Sequence, residues 1–187
     1  MTTKKGANAV EPIREIEKIQ EIKNYLLRRS YRNYFLFIFG INSGLRISDI
    51  LPLRVMDVKY TKHLIIQEKK TKNIRRTIIT QTLKNEIERY SRKMADSEYL
   101  FPSQKGGKPI SRVHAWQIIN HAARACGVEG PIGTHTLRKT FGYHFYQQSK
   151  DVALLQYIFG HSSPSITMRY IGINDDMVDK ALEKFCL

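Results

Sequence analysis

Apolar positions along the chain recur mainly every three or four residues, the pattern of helices that each bury one face. Ile13, Ile16, Ile19, Ile22, Leu26 and Leu27 predict a first helix from Pro12 to Arg29, with the proline near its start. Tyr31 to Asn42 is almost continuously apolar through Tyr34, Phe35, Leu36, Phe37, Ile38 and Phe39. Its length favours a buried helix over a strand, and Gly44 is placed to end it. Ser48-Asp49-Ile50-Leu51 opens a further short helix. The period then changes. Leu64–Gln67 and Ile74–Thr80 are β-branched runs separated by Glu68–Asn73, so a hairpin or small sheet is expected. Helical spacing returns over Gln81–Met94 (Leu83, Ile87, Tyr90, Met94). A loop, Ser103–Pro109 with Gly106-Gly107, leads to a helix capped by Ser111 and running to about Cys126. Val113, Trp116, Ile118, Ile119 and Ala122 are expected on its apolar side, with Trp116 read as core in preference to a base-stacking surface residue.

In the last third, the turn Gly127–Gly133 delivers Thr134, a good N-cap for a helix whose stripe is Leu137, Phe141, Phe145 and Gln148. His135 and Arg138 lie ~60° apart on that helix and project from one side. A helix over Asp151–Phe159 stops at Gly160. Ser163 and Pro164 cap and start another, with Tyr170 at its end. Asn174–Leu187 carries Met177, Val178, Ala181, Leu182 and Phe185 at amphipathic spacing. Residues 1–11 are polar and basic and are expected to form a flexible leader. The fold class that results is mainly α with a small antiparallel β-sheet, one domain over residues 12–187, without internal repeats.

Composition narrows the partner. Thirty-one basic against 17 acidic residues give a net charge of +14. So strong an excess points to a polyanion, and nucleic acid fits better than membrane because the cations are spread over many elements. Cys126 and Cys186 form no disulfide or zinc pattern and suit a reducing compartment. No signal peptide and no apolar run of ~18 residues are present, so a cytoplasmic protein is expected.

The candidate chemistry gathers between His135 and Tyr170: one guanidinium, two imidazoles and a phenol, without a carboxylate pair or metal-ligand spacing. Fixed cations stabilise the charge that builds on a phosphodiester under attack, and a guanidinium fork binds two phosphate oxygens at once. A tyrosine can serve as covalent nucleophile, exchanging one phosphoester for another. Upstream, Arg46 is embedded among Leu45, Ile47, Ile50 and Leu51, where a charge needs a partner or a ligand. His144, His63, His114 and His121 are read as surface or packing histidines.

His135-x-x-Arg138, His161 preceded by Gly160, and Tyr170 nine residues after His161, together with Ser43-Gly44-Leu45-Arg46-Ile47-Ser48-Asp49-Ile50, resemble the boxes of the tyrosine recombinase (phage integrase) family. Order and spacing agree over nearly the whole chain. The resemblance implies a catalytic domain in which Tyr170 attacks a DNA phosphate to give a 3′-phosphotyrosyl bond. It gives Arg46 and Arg138 the non-bridging oxygens, His161 a further hydrogen bond, and His135 the positioning or deprotonation of the nucleophile. The general acid is a hairpin lysine. Lys70 matches best, Lys72 is the rival, and alternation turns Lys69 to the opposite face. Further DNA contacts are expected from Lys69, Lys72, Arg75, Arg76, Lys139 and Arg169, the last of which could instead neutralise a neighbouring acid.

The same resemblance implies no metal or other cofactor. The expected partners are double-stranded DNA and copies of the chain, as a dimer or tetramer in the synapse, with room for accessory DNA-bending proteins. Nucleoid association and exchange of the helix at 174–187 between protomers follow from it as well. The family's usual N-terminal DNA-clamping domain has no counterpart, so an excised catalytic domain or a minimal recombinase of the fimbrial-invertase kind is expected. Two other readings stay open, a type IB topoisomerase that relaxes strands and a non-catalytic helical DNA-binding regulator.

Overall fold

The computed structural model describes residues 10–67, 74–173, 183 and 185. Among them, helices α1 (Ile16–Leu27), α2 (Tyr31–Ser43), α3 (Ile47–Ile50) and α4 (Val55–Lys59) precede strands β1 (His63–Gln67) and β2 (Ile74–Ile78). Helices α5 (Gln81–Ser91), α6 (Arg112–Ala125), α7 (Thr134–Ser149), α8 (Val152–Phe159) and α9 (Pro164–Tyr170) follow. The strands pair antiparallel with His63 opposite Ile78 and Gln67 opposite Ile74. The architecture is thus mainly α with a two-stranded antiparallel sheet, and no helix among the described residues is long and apolar enough to cross a membrane.

Helix α2 is the centre of the core. Phe35, Leu36, Phe37, Ile38 and Phe39 are all buried, so this helix is covered on every side over its middle turns. Ile19, Ile22 and Leu26 of α1, Leu83 and Ile87 of α5, and Leu137 of α7 close around it. The approach of α7 depends on Gly40, because a methyl group there would collide with the Leu137 side chain. A second, smaller core joins α7, α8 and α9 through Leu155, Phe159 and Ile171, with Phe141, Phe145 and Tyr170 packed against it. The candidate residues sit around this second core.

Several expectations need correction. The first helix starts at Ile16 and not at Pro12: the Ile13 amide donates to Thr140 Oγ1 (2.9 Å) and its carbonyl accepts from His144 Nε2 (2.9 Å), so those groups are committed to α7. The short α4 has too few apolar positions to show a period. Helix α5 ends at Ser91, short of Met94. Gly133, not Thr134, caps α7, since its amide donates to Thr136 Oγ1 at 3.1 Å while Thr134 is already helical. Gln148 is exposed and not part of a buried stripe. The inward face of α6 is Ala115, Ile118, Ile119, Ala122 and Ala123, a helical stripe of small residues and isoleucines that lets the helix pack closely. Trp116 and Val113 fall outside that stripe and are 46% and 64% exposed, so Trp116 is a surface residue. Lys69, Lys70 and Lys72, residues 1–9 of the leader, and the helix expected at 174–187 (apart from Glu183 and Phe185) lie outside the described residues.

Candidate active site

Arg138 is the anchor of the site. Its residue is 2% exposed, and the guanidinium donates from Nη1 to the Gly44 carbonyl (2.6 Å) and from Nη2 to the Phe159 carbonyl (2.9 Å). Both acceptors are helix ends: Gly44 turns left-handed to finish α2, and Phe159 is the last residue of α8. Terminal carbonyls lack intrahelical partners and carry the negative end of the helix dipole, so a cation there is doubly favoured. The guanidinium also lies over the Phe159 ring at 4.3 Å. Two residues past Gly44, Arg46 starts α3 and faces the buried Asp49 carboxylate at 4.0 Å, one turn along. Asp49 answers the need for a partner that the apolar neighbours of Arg46 create.

His161 and Tyr170 are delivered by the same local device. Gly160 ends α8 at φ 63°, with the His161 amide bonded to the Gln156 carbonyl (3.1 Å) and the Gly160 amide to that of Tyr157 (3.1 Å). Helix α9 ends likewise, the Ile173 amide reaching the Met168 carbonyl (3.0 Å) and the Gly172 amide that of Arg169 (3.2 Å), with Gly172 at φ 80°. These are Schellman ends, and each fixes the direction in which the chain leaves a helix. The Tyr170 ring meets His161 at 5.0 Å between centroids and Phe159 at 5.4 Å, both edge-on. His161 Nδ1 lies 3.0 Å from Oγ1 of the fully buried Thr167.

The electrostatics tie the group together. Burial, then Arg138, Arg46 and Arg75, press the His161 imidazole down to about 4, so it is neutral near pH 7. His135 lies in the first turn of α7 with an exposed edge. Its pKa is lowered by the protein around its base, and then by Arg112, Arg138, Arg46 and Lys139. The Tyr170 phenol is pushed up by burial, and Arg138 and Arg46 oppose that rise, Arg138 also through a hydrogen bond. Arg46, His135, Arg138, His161 and Tyr170 therefore share one positively charged neighbourhood. It can hold a phosphate and stabilise further negative charge on it.

The remaining predicted cations divide. Arg75 is half-buried and acts on His161, whereas Arg76 is exposed beside the His63 ring (3.0 Å). They alternate on opposite faces of β2, as the pleat requires. Lys139 is half-buried with Nζ 5.1 Å from the centre of the Tyr170 ring, and Arg169 is exposed at the end of α9. Arg112, at the start of α6, reaches the neighbourhood of His135 only through the packing of α6 on α7, and no sequence signal separates it from the other basic residues. His144 bonds the Ile13 carbonyl and is a packing histidine. Beside His161 opens a cleft of about 1040 Å³, walled by Ile74 and Arg75 of β2, Phe141 and Phe145 of α7, and Tyr157 of α8. Among the described residues no group of three His, Cys, Asp or Glu side chains could hold a metal ion.

Residues 13–177 match the family model described as the phage integrase family. The probable integrase/recombinase YoeC of Bacillus subtilis (strain 168) is 60% identical over 176 residues, covering 94% of this chain and 97% of that protein. Among solved structures, the crystal structure of XerA recombinase superposes with a TM-score of 0.75 at 18% identity over 95% of this chain. The XerH site-specific recombinase bound to palindromic difH substrate superposes with a TM-score of 0.70 at 18% identity over 97%. This chain spans 66% and 55% of those two longer chains.

Proposed function

We propose that this chain, which belongs to the phage integrase family, breaks and rejoins DNA strands through a covalent bond to Tyr170. The observation that carries the reading is the convergence of two arginines on one half-buried phenol, with two imidazoles in the same field. In the proposed step Tyr170 Oη forms a bond to phosphorus as the bond to the 5′ oxygen breaks. Lys70, on the segment joining β1 and β2, gives that oxygen its proton. Arg46 and Arg138 bind the non-bridging oxygens, and either one removed costs about 2–4 kcal/mol of transition-state stabilisation. Because Arg138 is already held by two carbonyls, little reorganisation accompanies the arrival of negative charge.

The histidines act as neutral groups. Thr167 Oγ1 lies between the Ser163 carbonyl (3.3 Å) and His161 Nδ1 (3.0 Å), and when its single proton turns to Nδ1 the imidazole keeps its own proton on Nε2 for a phosphate oxygen. His135, kept unprotonated by its lowered pKa, has a nitrogen free to take the phenolic proton as the bond to phosphorus forms. A 5′ hydroxyl from a partner strand then attacks the phosphotyrosyl bond, returning the proton balance and joining new ends. The phosphoester is exchanged without net loss of bond energy.

Double-stranded DNA is the partner that the +14 charge favours. Assembly of several copies on DNA is proposed with it, the segment 174–187 passing from one protomer to the next. The apolar wall of the cleft beside His161 offers a place where the apolar positions of that segment could be buried, from the same chain or from a neighbour. A nicked DNA whose 5′ fragment escapes after cleavage tests the chemistry. Denaturing gels should show a protein–DNA adduct with the wild-type chain and none with Tyr170→Phe. An adduct that survives the substitution refutes the assignment of the nucleophile.

A further inference from the structure

The short segment Val10–Arg14, outside any helix or strand, has no role in the chemistry above, yet it touches both ends of the site. It runs beside α7 as a strap. Val10 packs on Gly133, where an added Cβ would lie 3.0 Å from Val10 Cγ1. The Glu11 amide donates to the Pro131 carbonyl at 2.9 Å. Ile13 is held on both sides of its peptide group, by Thr140 Oγ1 and by His144 Nε2, each at 2.9 Å.

Its far end closes on the chain just beyond Tyr170. Arg14 forms an ion pair with Glu11 (2.8 Å), lies 5.7 Å from the centre of the Tyr143 ring, and donates from Nη2 to the Gly172 carbonyl at 3.4 Å. The strap lies against Gly172: a Cβ there would meet the tip of the Arg14 side chain at 2.7 Å and be in ordinary contact with Pro12 Cδ at 3.5 Å. Gly172 is also the left-handed residue of the Schellman end that sets the exit of α9. Lys139, whose Nζ stands 5.1 Å from the Tyr170 ring, lies within the electrostatic reach of Glu11 and Arg14.

We propose that the strap is a positioning element for the nucleophile, with Arg14 acting through the Gly172 carbonyl to hold the end of α9 and hence the direction of Tyr170. This rests on the reading of Tyr170 as nucleophile. Small misplacements of a reacting group cost rate far more than affinity. Arg14 is therefore a residue whose loss slows cleavage without weakening DNA binding.

Two measurements on the full chain carrying Arg14→Ala or Arg14→Lys test it. Hydrogen exchange without DNA should speed up about tenfold at the Gly172 and Ile173 amides in Arg14→Ala, with the melting temperature kept as a folding control. Single-turnover adduct formation at saturating nicked DNA should fall about tenfold. The half-saturating DNA concentration should move less than twofold, and Arg14→Lys should recover part of the rate. Unchanged exchange overturns the proposal, and so does faster exchange with an unchanged cleavage rate, which makes the strap purely structural. Weaker, less salt-sensitive DNA binding at an unchanged rate makes Arg14 a phosphate contact and overturns it too. If the wild-type chain forms no adduct either, the assignment of Tyr170 fails and the strap's role goes with it.

Discussion

Replacing Arg138 with lysine should damage the fold as well as the chemistry, and the two losses can be measured separately. Lysine keeps the positive charge but cannot reproduce the fork that reaches Gly44 and Phe159 at 2.6 and 2.9 Å. One of those carbonyls is then left in the interior without its donor. An orphaned buried acceptor costs about 1–3 kcal/mol, and the lost stacking on Phe159 adds about 0.5–1 kcal/mol. A total of about 1.5–4 kcal/mol corresponds to a fall of about 3–16 °C in a domain of this size. Thermal unfolding followed by circular dichroism reads this term in the absence of DNA. Adduct formation should fall by about 10²–10³ on nicked DNA, from the missing oxyanion donor. A variant that melts with the wild type while losing cleavage would refute the claim that this guanidinium pins the ends of α2 and α8.

Gly142→Ala should destabilise by about 1–3 kcal/mol although alanine is the better helix former, because the new methyl meets the Phe159 ring at 2.6 Å and Ile171 at 2.8 Å; chemical denaturation checks this, and a stabilised variant contradicts the packing. His161 titrates at about 4 in the fold against 6.5 when unfolded, so as pH falls the unfolded chain takes the proton first. Its contribution is complete above pH 6.5 and is lost as pH falls through about 4; urea midpoints should show about 2 kcal/mol less loss in His161→Gln than in wild type over that window. Asp49→Asn should slow adduct formation and cost about 3 kcal/mol of stability by removing the carboxylate opposite Arg46, and equal midpoints in urea would contradict it.

The helices were legible where one face is buried, and the end signals at Gly44, Gly160, Ser163 and Pro164 were legible because each acts within a few residues. What stayed hidden depends on contacts between distant segments. The start of α1 is decided by Thr140 and His144, which claim Ile13 from 127 and 131 positions away. Trp116 looked like core because periodicity ranks residues by hydrophobicity, whereas α6 turns its alanines inward to approach its neighbours closely. The boxes identified Arg138 but not its burial, since its partners are main-chain carbonyls, which every residue carries. Lys139 reads as an ordinary charged neighbour of Arg138 until α9 brings Tyr170 over it. Arg112 gains its influence on His135 in the same way, through packing alone.

The double tether on Arg138 also decides how defective copies of this chain would behave. A chain changed at Tyr170 keeps its scaffold and its basic surface, so it persists as a competent occupant of DNA that blocks working copies. A chain changed at Arg138 loosens the ends of α2 and α8, so a smaller share of its copies is folded at any moment. Interference with functional copies should therefore be stronger from alleles at the phenol than from alleles at the buried guanidinium.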